Sequence, residues 1–202
     1  MFDDLLRRLK DTLLAPLAAG IGRRVHPNTI SVVALAAGLA VALLAARRQY
    51  AAALGCWALN RLLDGLDGTL ARVSDQQSDF GGYLDILLDF VVYAAVPVGL
   101  AHGAGTPEAL RAALWLEASF FVNAASWMYL SAVLERRAQG ARARGELTTV
   151  TMPPGIVAGA ETVLFYALFL AFPAQLTRLF TLMALLVGVN VVQRLVWAAR
   201  RL

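Results

Sequence analysis

The amino-acid sequence predicts an all-α integral membrane protein with six transmembrane helices and an amphipathic helix before them. Three observations carry this. Of 202 residues, 59% are hydrophobic and the mean hydropathy is +0.62, above the roughly half-apolar make-up of soluble domains. The apolar residues fall into stretches of about 20, the helical length that crosses a hydrocarbon core about 30 Å thick. Between the stretches stand short runs of charge, glycine and proline.

Residues 1–25 form the first element. Leu5, Leu6, Leu9, Leu13 and Leu14 share one helical face, with Asp4, Arg7, Arg8, Lys10 and Asp11 mostly off it, the pattern of a helix lying in a membrane surface. Charge interrupts the apolar run, so a cleaved signal peptide is not expected. The expected spans are 28–46, 50–70, 79–101, 108–134, 153–172 and 175–199, making 26–202 one six-helix catalytic domain. Basic residues set the orientation. With Arg47, Arg48, Arg111 and Arg178 outside, and Arg61 and Arg194 within spans, the other twelve of the 18 basic residues lie on the side of the amino terminus. Both termini are therefore expected to face the cytoplasm, as in a bacterial inner membrane protein. Cys56 is the only cysteine, so no intramolecular disulfide is possible.

Asp64, Asp67, Asp85 and Asp89 fall in or beside the second and third spans. A carboxylate in hydrocarbon costs kilocalories and is usually paired or functional. Arg61 and Arg72 are too few to balance four acids, and a pair of divalent metals is the natural complement. The acids stand three and four residues apart, so each pair shares a helix face. Gly68 and Gly81 lie on the same two faces, where a missing side chain lets a polar ligand approach the backbone. Hard oxygen ligands suit Mg2+ or Mn2+ holding a diphosphate. Zinc is not expected, because Cys56 and both histidines are remote from the cluster.

The run Asp64-Gly-Leu-Asp67-Gly68-Thr-Leu-Ala71-Arg72, then eight residues, then Gly81-Gly-Tyr-Leu-Asp85-Ile-Leu-Leu-Asp89 resembles the signature of the CDP-alcohol phosphotransferases, D-x-x-D-G-x-x-A-R, eight residues, G-x-x-x-D-x-x-x-D. All its fixed positions are matched. His26-Pro27-Asn28-Thr29-Ile30-Ser31 is also similar to the way the family begins its first span. The resemblance implies six helices around a cytoplasm-facing polar cavity, generally in a homodimer. It implies transfer of a substituted phosphoryl group from a CDP-linked lipid such as CDP-diacylglycerol to a second, small alcohol, with release of CMP. By the same resemblance Asp64, Asp67, Asp85 and Asp89 bind two metal ions and Asp89 is the general base. Asp64, Gly68, Ala71, Arg72 and Gly81 serve the CDP-alcohol.

The resemblance names no acceptor. Phe90 and Val92-Tyr93-Ala94 differ from the residues found after the last aspartate in members similar to glycerophosphate, inositol-phosphate or serine enzymes. Glu161, expected about eight residues into the fifth span, and Arg194 in the sixth are the candidate acceptor-binding residues; alternatively they pair with each other. The Trp and Tyr residues, Trp57 among them, read as interface anchors or packing. The expected partners are the CDP-linked lipid, the acceptor and the bilayer, with no nucleic acid. A prenyltransferase acting on a diphosphate and a carboxylate-lined metal-ion transporter are the alternatives. The first would need more spans and two separated acidic motifs. The second would be expected to repeat the acidic pair in its second half, and no such repeat exists.

Overall fold

The computed structural model describes residues 13–140 and 155–202, and among them helices and short connections account for the chain, with no strand. Helix α1 covers 13–21, followed by α2 (Pro27–Ala46), α3 (Tyr50–Val73), α4 (Asp79–Ala104), α5 (Pro107–Arg136), α6 (Gly159–Ala171) and α7 (Leu176–Arg201). The chain divides into two compact units, one drawing on Met1–Thr106 with Tyr166–Ala174, the other on Pro107–Phe165 with Gln175–Leu202, in each case through the described residues.

Local chemistry sets the helix ends in the first unit. Pro27 occupies the first turn of α2, where its missing N–H costs nothing, and His26 Nδ1 accepts the Asn28 N–H at 3.2 Å. Ser78 caps α4 by accepting the Gly81 N–H at 3.0 Å. Gly105 ends α4 with φ +68°, a left-handed conformation that glycine adopts without strain.

Helix α2 packs on both α3 and α4. A Cβ placed on Gly99 would run into the Ala42 carbonyl oxygen and lie 2.9 Å from Ala42 C and Cα, and one on Gly103 would run into the Ala45 oxygen. The two glycines, four apart, thus let α4 press on the α2 backbone, the small-residue contact that tightens membrane helix pairs. Arg48, past the end of α2, donates from Nε to the Gly103 oxygen at 2.6 Å.

Residues 1–12, with most of the expected surface helix, lie outside the described residues. One face of the part described packs within the first unit, Ala18 being buried with Ile30, Leu66 and Leu70, against Leu14, Ile21 and Leu63, while Leu13 and Leu17 are at least half exposed. Three helical segments among the described residues are both long and apolar enough to cross a membrane, Pro27–Ala46, Asp79–Ala104 and Pro173–Arg201. Helices α3 and α5 have 24 and 30 residues, sufficient length, but α3 carries Arg61, Asp64, Asp67 and Arg72, and α5 is diluted by Glu117, Ser119, Asn123, Ser126 and Ser131. Side chains such as Val98, Leu114, Phe121, Leu185 and Leu195 are more than half exposed, an outer surface suited to lipid.

In the second unit α5 packs on α7. The expected fifth span shrinks to α6, with 13 residues starting at Gly159 instead of 153. Buried Asn190 of α7 explains the late start. Its Oδ1 accepts the N–H groups of Ile156 at 2.6 Å and Val157 at 3.1 Å, and its Nδ2 donates to the Val157 oxygen at 2.6 Å. These bonds commit the backbone to a non-helical path, and a Cβ on Gly155 would lie 2.8 Å from Asn190 Cγ.

Candidate active site

Helices α2, α3 and α4 of the first unit enclose a cleft of about 220 Å³, counting the part open to its surroundings. Its lining includes Asp64, Asp67, Asp85 and Asp89, together with Ser31 and Asn60. The i, i+3 pair on α3 and the i, i+4 pair on α4 therefore meet, as helical periodicity requires once the two faces are opposed.

Two of the four carboxylates are held by one guanidinium. Arg61 Nη2 donates to Asp89 Oδ1 at 2.8 Å, and its Nη1 lies 3.7 Å from Asp64 Oδ2. The Arg61 side chain is only 13% exposed. Its Nε donates to Asn60 Oδ1 at 2.8 Å, its Nη1 to the Tyr93 hydroxyl at 3.0 Å, and its carbon sits 4.8 Å from the centroid of Trp57. Trp57 is thus buried packing under a cation, not an interface anchor. Asp67 is nearly buried and accepts from Ser31 Oγ at 2.6 Å.

A proline makes one more link. Pro97, inside α4, has no N–H to give the Tyr93 carbonyl four residues earlier. Tyr166, fully buried, supplies the missing donor, its hydroxyl giving a 2.6 Å hydrogen bond to the Tyr93 oxygen. The rings of Trp57, Tyr93 and Tyr166 pack together, with centroid separations of 5.2 to 6.4 Å.

The glycines are less open than the sequence implies. A Cβ on Gly68 would meet Arg72 Nη1 at 3.3 Å, the far end of a flexible side chain, and one on Gly81 would meet Ser78 Oγ at 3.1 Å and Asn28 Oδ1 at 3.3 Å. Ala71 lies on the same helix as Gly68. Arg72 Nη2 reaches Thr69 Oγ1 at 3.4 Å.

Glu161 and Arg194 do not pair with each other. Glu161 stands in the first turn of α6, where its Oε2 accepts the Ala158 N–H at 3.0 Å, the back-bond of a helix cap. It is not deep in a span, because α6 starts late. Arg194 is buried and its Nη1 donates to Asn123 Oδ1. The sequence assigned no site role to Ser31, Asn60, Tyr93 or Asn123, although Ser31 and Tyr93 stand in the runs compared with the family. All are polar side chains within apolar stretches, which was the available signal.

Four carboxylates and a hydroxyl around one cleft fit hard divalent cations in donor type and number. Among the described residues no three acidic, imidazole or thiol groups yet converge on one point closely enough to hold a metal. Arg61 and Ser31 engage three of the aspartates instead.

The model of the CDP-alcohol phosphatidyltransferase family matches residues 24–195. The chain belongs to this family, whose members are phosphotransferases. It is 35% identical over 150 residues to the inner membrane protein YnjF of Escherichia coli K12, covering 74% of this chain and 71% of that one. A CDP-diacylglycerol–serine O-phosphatidyltransferase of Mycobacterium tuberculosis is 36% identical over 78 residues, which is 39% of this chain and only 27% of that protein. Among solved structures, phosphatidylinositol phosphate synthase PgsA1 of M. tuberculosis with CDP-DAG bound superposes with a TM-score of 0.71 at 23% identity, over 91% of this chain and 92% of that one. The same synthase in complex with manganese and citrate gives 0.69 at 24% identity, over 90% and 87%. These likenesses establish the family's fold for the chain.

Proposed function

We propose that this family member transfers a phosphatidyl group from CDP-diacylglycerol to the hydroxyl of a second alcohol, releasing CMP. The observation that carries the reading is the convergence of Asp64, Asp67, Asp85 and Asp89 on one cleft between α2, α3 and α4. The neighbours named for CDP-DAG and manganese support the substrate and the metals.

Asp64, Asp67, Asp85 and Asp89 would hold two Mg2+ or Mn2+ ions, which when bound supply positive charge to the diphosphate and the departing CMP. Asp89 takes the proton of the incoming hydroxyl. That oxygen bonds to the phosphorus nearer the lipid, the bond from this phosphorus to CMP breaks, and the lipid phosphate stays on the product. Gly68, Ala71, Arg72 and Gly81 would receive the CDP portion, Arg72 as the cation nearest Gly68.

For the acceptor, support lies within the second unit. Arg194 Nε is buried without a hydrogen-bond partner, an unspent donor that suits an acceptor bearing phosphate or carboxylate. Glu161 commits one carboxylate oxygen to its helix cap and is the weaker candidate. A homodimer with its cleft facing the cytoplasm belongs to the same reading, from the family resemblance and the placement of basic residues.

The test is CMP release by purified protein from CDP-diacylglycerol against a panel of alcohols, with and without chelator. Release is expected with one class of acceptor only, abolished by chelation and restored by Mg2+ or Mn2+. Undiminished release in chelator would refute the metal assignment. No release with any acceptor would refute the reaction.

A further inference from the structure

Arg61 is outside the fixed positions of the signature, yet its side chain is held by several partners at once. Neutralising nearby acids would need only a flexible cation, for which lysine serves. Arg61 instead has partners on each edge of its guanidinium: Asn60 Oδ1 on Nε, the Tyr93 hydroxyl on Nη1 and Asp89 Oδ1 on Nη2. One face lies over Trp57. The partners are themselves fixed. Asn60 Nδ2 donates to the Ala34 oxygen of α2 at 2.7 Å, and the Tyr93 carbonyl is held by Tyr166. A planar fork locked in this way defines the position of whatever carboxylate it grips.

We propose that Arg61 is a positioning residue for Asp89. Its guanidinium, immobilised by Asn60, Tyr93 and Trp57, fixes one oxygen of that carboxylate and leaves the other for the chemistry. The same cation offsets part of the charge of Asp64 and Asp89 and so weakens the grip of the cluster on metal. Arg61 thus gives up metal affinity for a fixed Asp89. This inference rests on the reading of Asp89 as the group that receives the acceptor proton.

The two effects have opposite signs, which makes them separable. Wild type, Arg61→Met and Arg61→Lys would be compared by Mn2+ titration followed by electron paramagnetic resonance, and by kcat and KM for CMP release. In Arg61→Met, kcat should fall about 100-fold, the scale of a misplaced catalytic group, while KM for CDP-diacylglycerol changes less than about threefold. Mn2+ should bind about tenfold more tightly, because a positive charge a few ångströms from two ligands has been removed. Arg61→Lys keeps the charge and loses the fork, so Mn2+ affinity should stay near wild type while most of kcat is lost.

Mn2+ affinity falling together with kcat in the Met variant would overturn the proposal in favour of a purely structural arginine. Full turnover in the Lys variant would overturn it in favour of charge alone. If Arg61→Met fails to fold, Tyr93→Phe removes one partner of the guanidinium and no charge. Its kcat should drop several-fold at unchanged Mn2+ affinity, and unchanged kcat would count against the proposal. A wild type that releases no CMP would sink the transfer reaction instead, and the Mn2+ titrations would still decide how Arg61 acts on the cluster.

Discussion

Replacing Tyr166 by Phe deletes one oxygen, and the structure says what that oxygen does. Pro97 leaves the Tyr93 carbonyl without a helical donor, and the Tyr166 hydroxyl fills the vacancy at 2.6 Å in a fully buried position. Without it the partly buried Tyr93 carbonyl has no helical or hydroxyl donor, a loss of about 2 kcal/mol. For a chain of this length that corresponds to a fall in Tm of about 4–8 °C, measurable by thermal unfolding in detergent. The substitution should also lower kcat several-fold, because Tyr93 is a fixed partner of Arg61 and Arg61 holds Asp89. The decisive control is Pro97→Ala, which returns an N–H to the helix. In that background Tyr166→Phe should cost less than half as much, a non-additivity expected when two groups serve one acceptor. Full additivity, or a Tyr166→Phe protein as stable as wild type, would refute the reasoning.

Asp89→Asn should cut kcat by orders of magnitude while leaving much of the CDP-lipid affinity, whereas Asp64→Asn should weaken Mn2+ and CDP-lipid binding together; equal binding losses in both would make Asp89 chiefly a metal ligand. Gly99→Ala should lower stability by about 2–3 kcal/mol, the upper part of the overpacking range, because the new methyl meets the Ala42 backbone, which cannot turn aside. Turnover per folded molecule should stay within about twofold, since Gly99 lies ten residues, about 15 Å, along α4 from Asp89; a stable variant would argue against the close α2–α4 approach.

The sequence by itself determined the family and pointed to the four carboxylates that line one cleft. A carboxylate in an apolar stretch is improbable without a reason, and the spacings of Asp64, Asp67, Asp85 and Asp89 place each pair on one helical face. Hydropathy likewise announced α2, α4 and α7, where the apolar run is unbroken. It was less decisive for α3, because the residues that build the cleft are those that dilute the apolar signal. It also misplaced the start of α6, because Asn190, more than thirty residues further on, holds 155–157 out of the helix, and local periodicity has no access to a partner that distant. That displacement put Glu161 in a first turn, where it accepts the Ala158 N–H. Only the tertiary structure decided which cation meets which acid. Arg61 shares a helix with Asp64 and Asp67, but its hydrogen bond to Asp89 depends on how α3 packs beside α4. Its cradle needs Asn60 bonded to α2, Tyr93 on α4 and the Tyr166 hydroxyl that Pro97 makes necessary. Such contacts are set by the relative rotation and approach of helices, through side chains whose spacing along the chain carries no period.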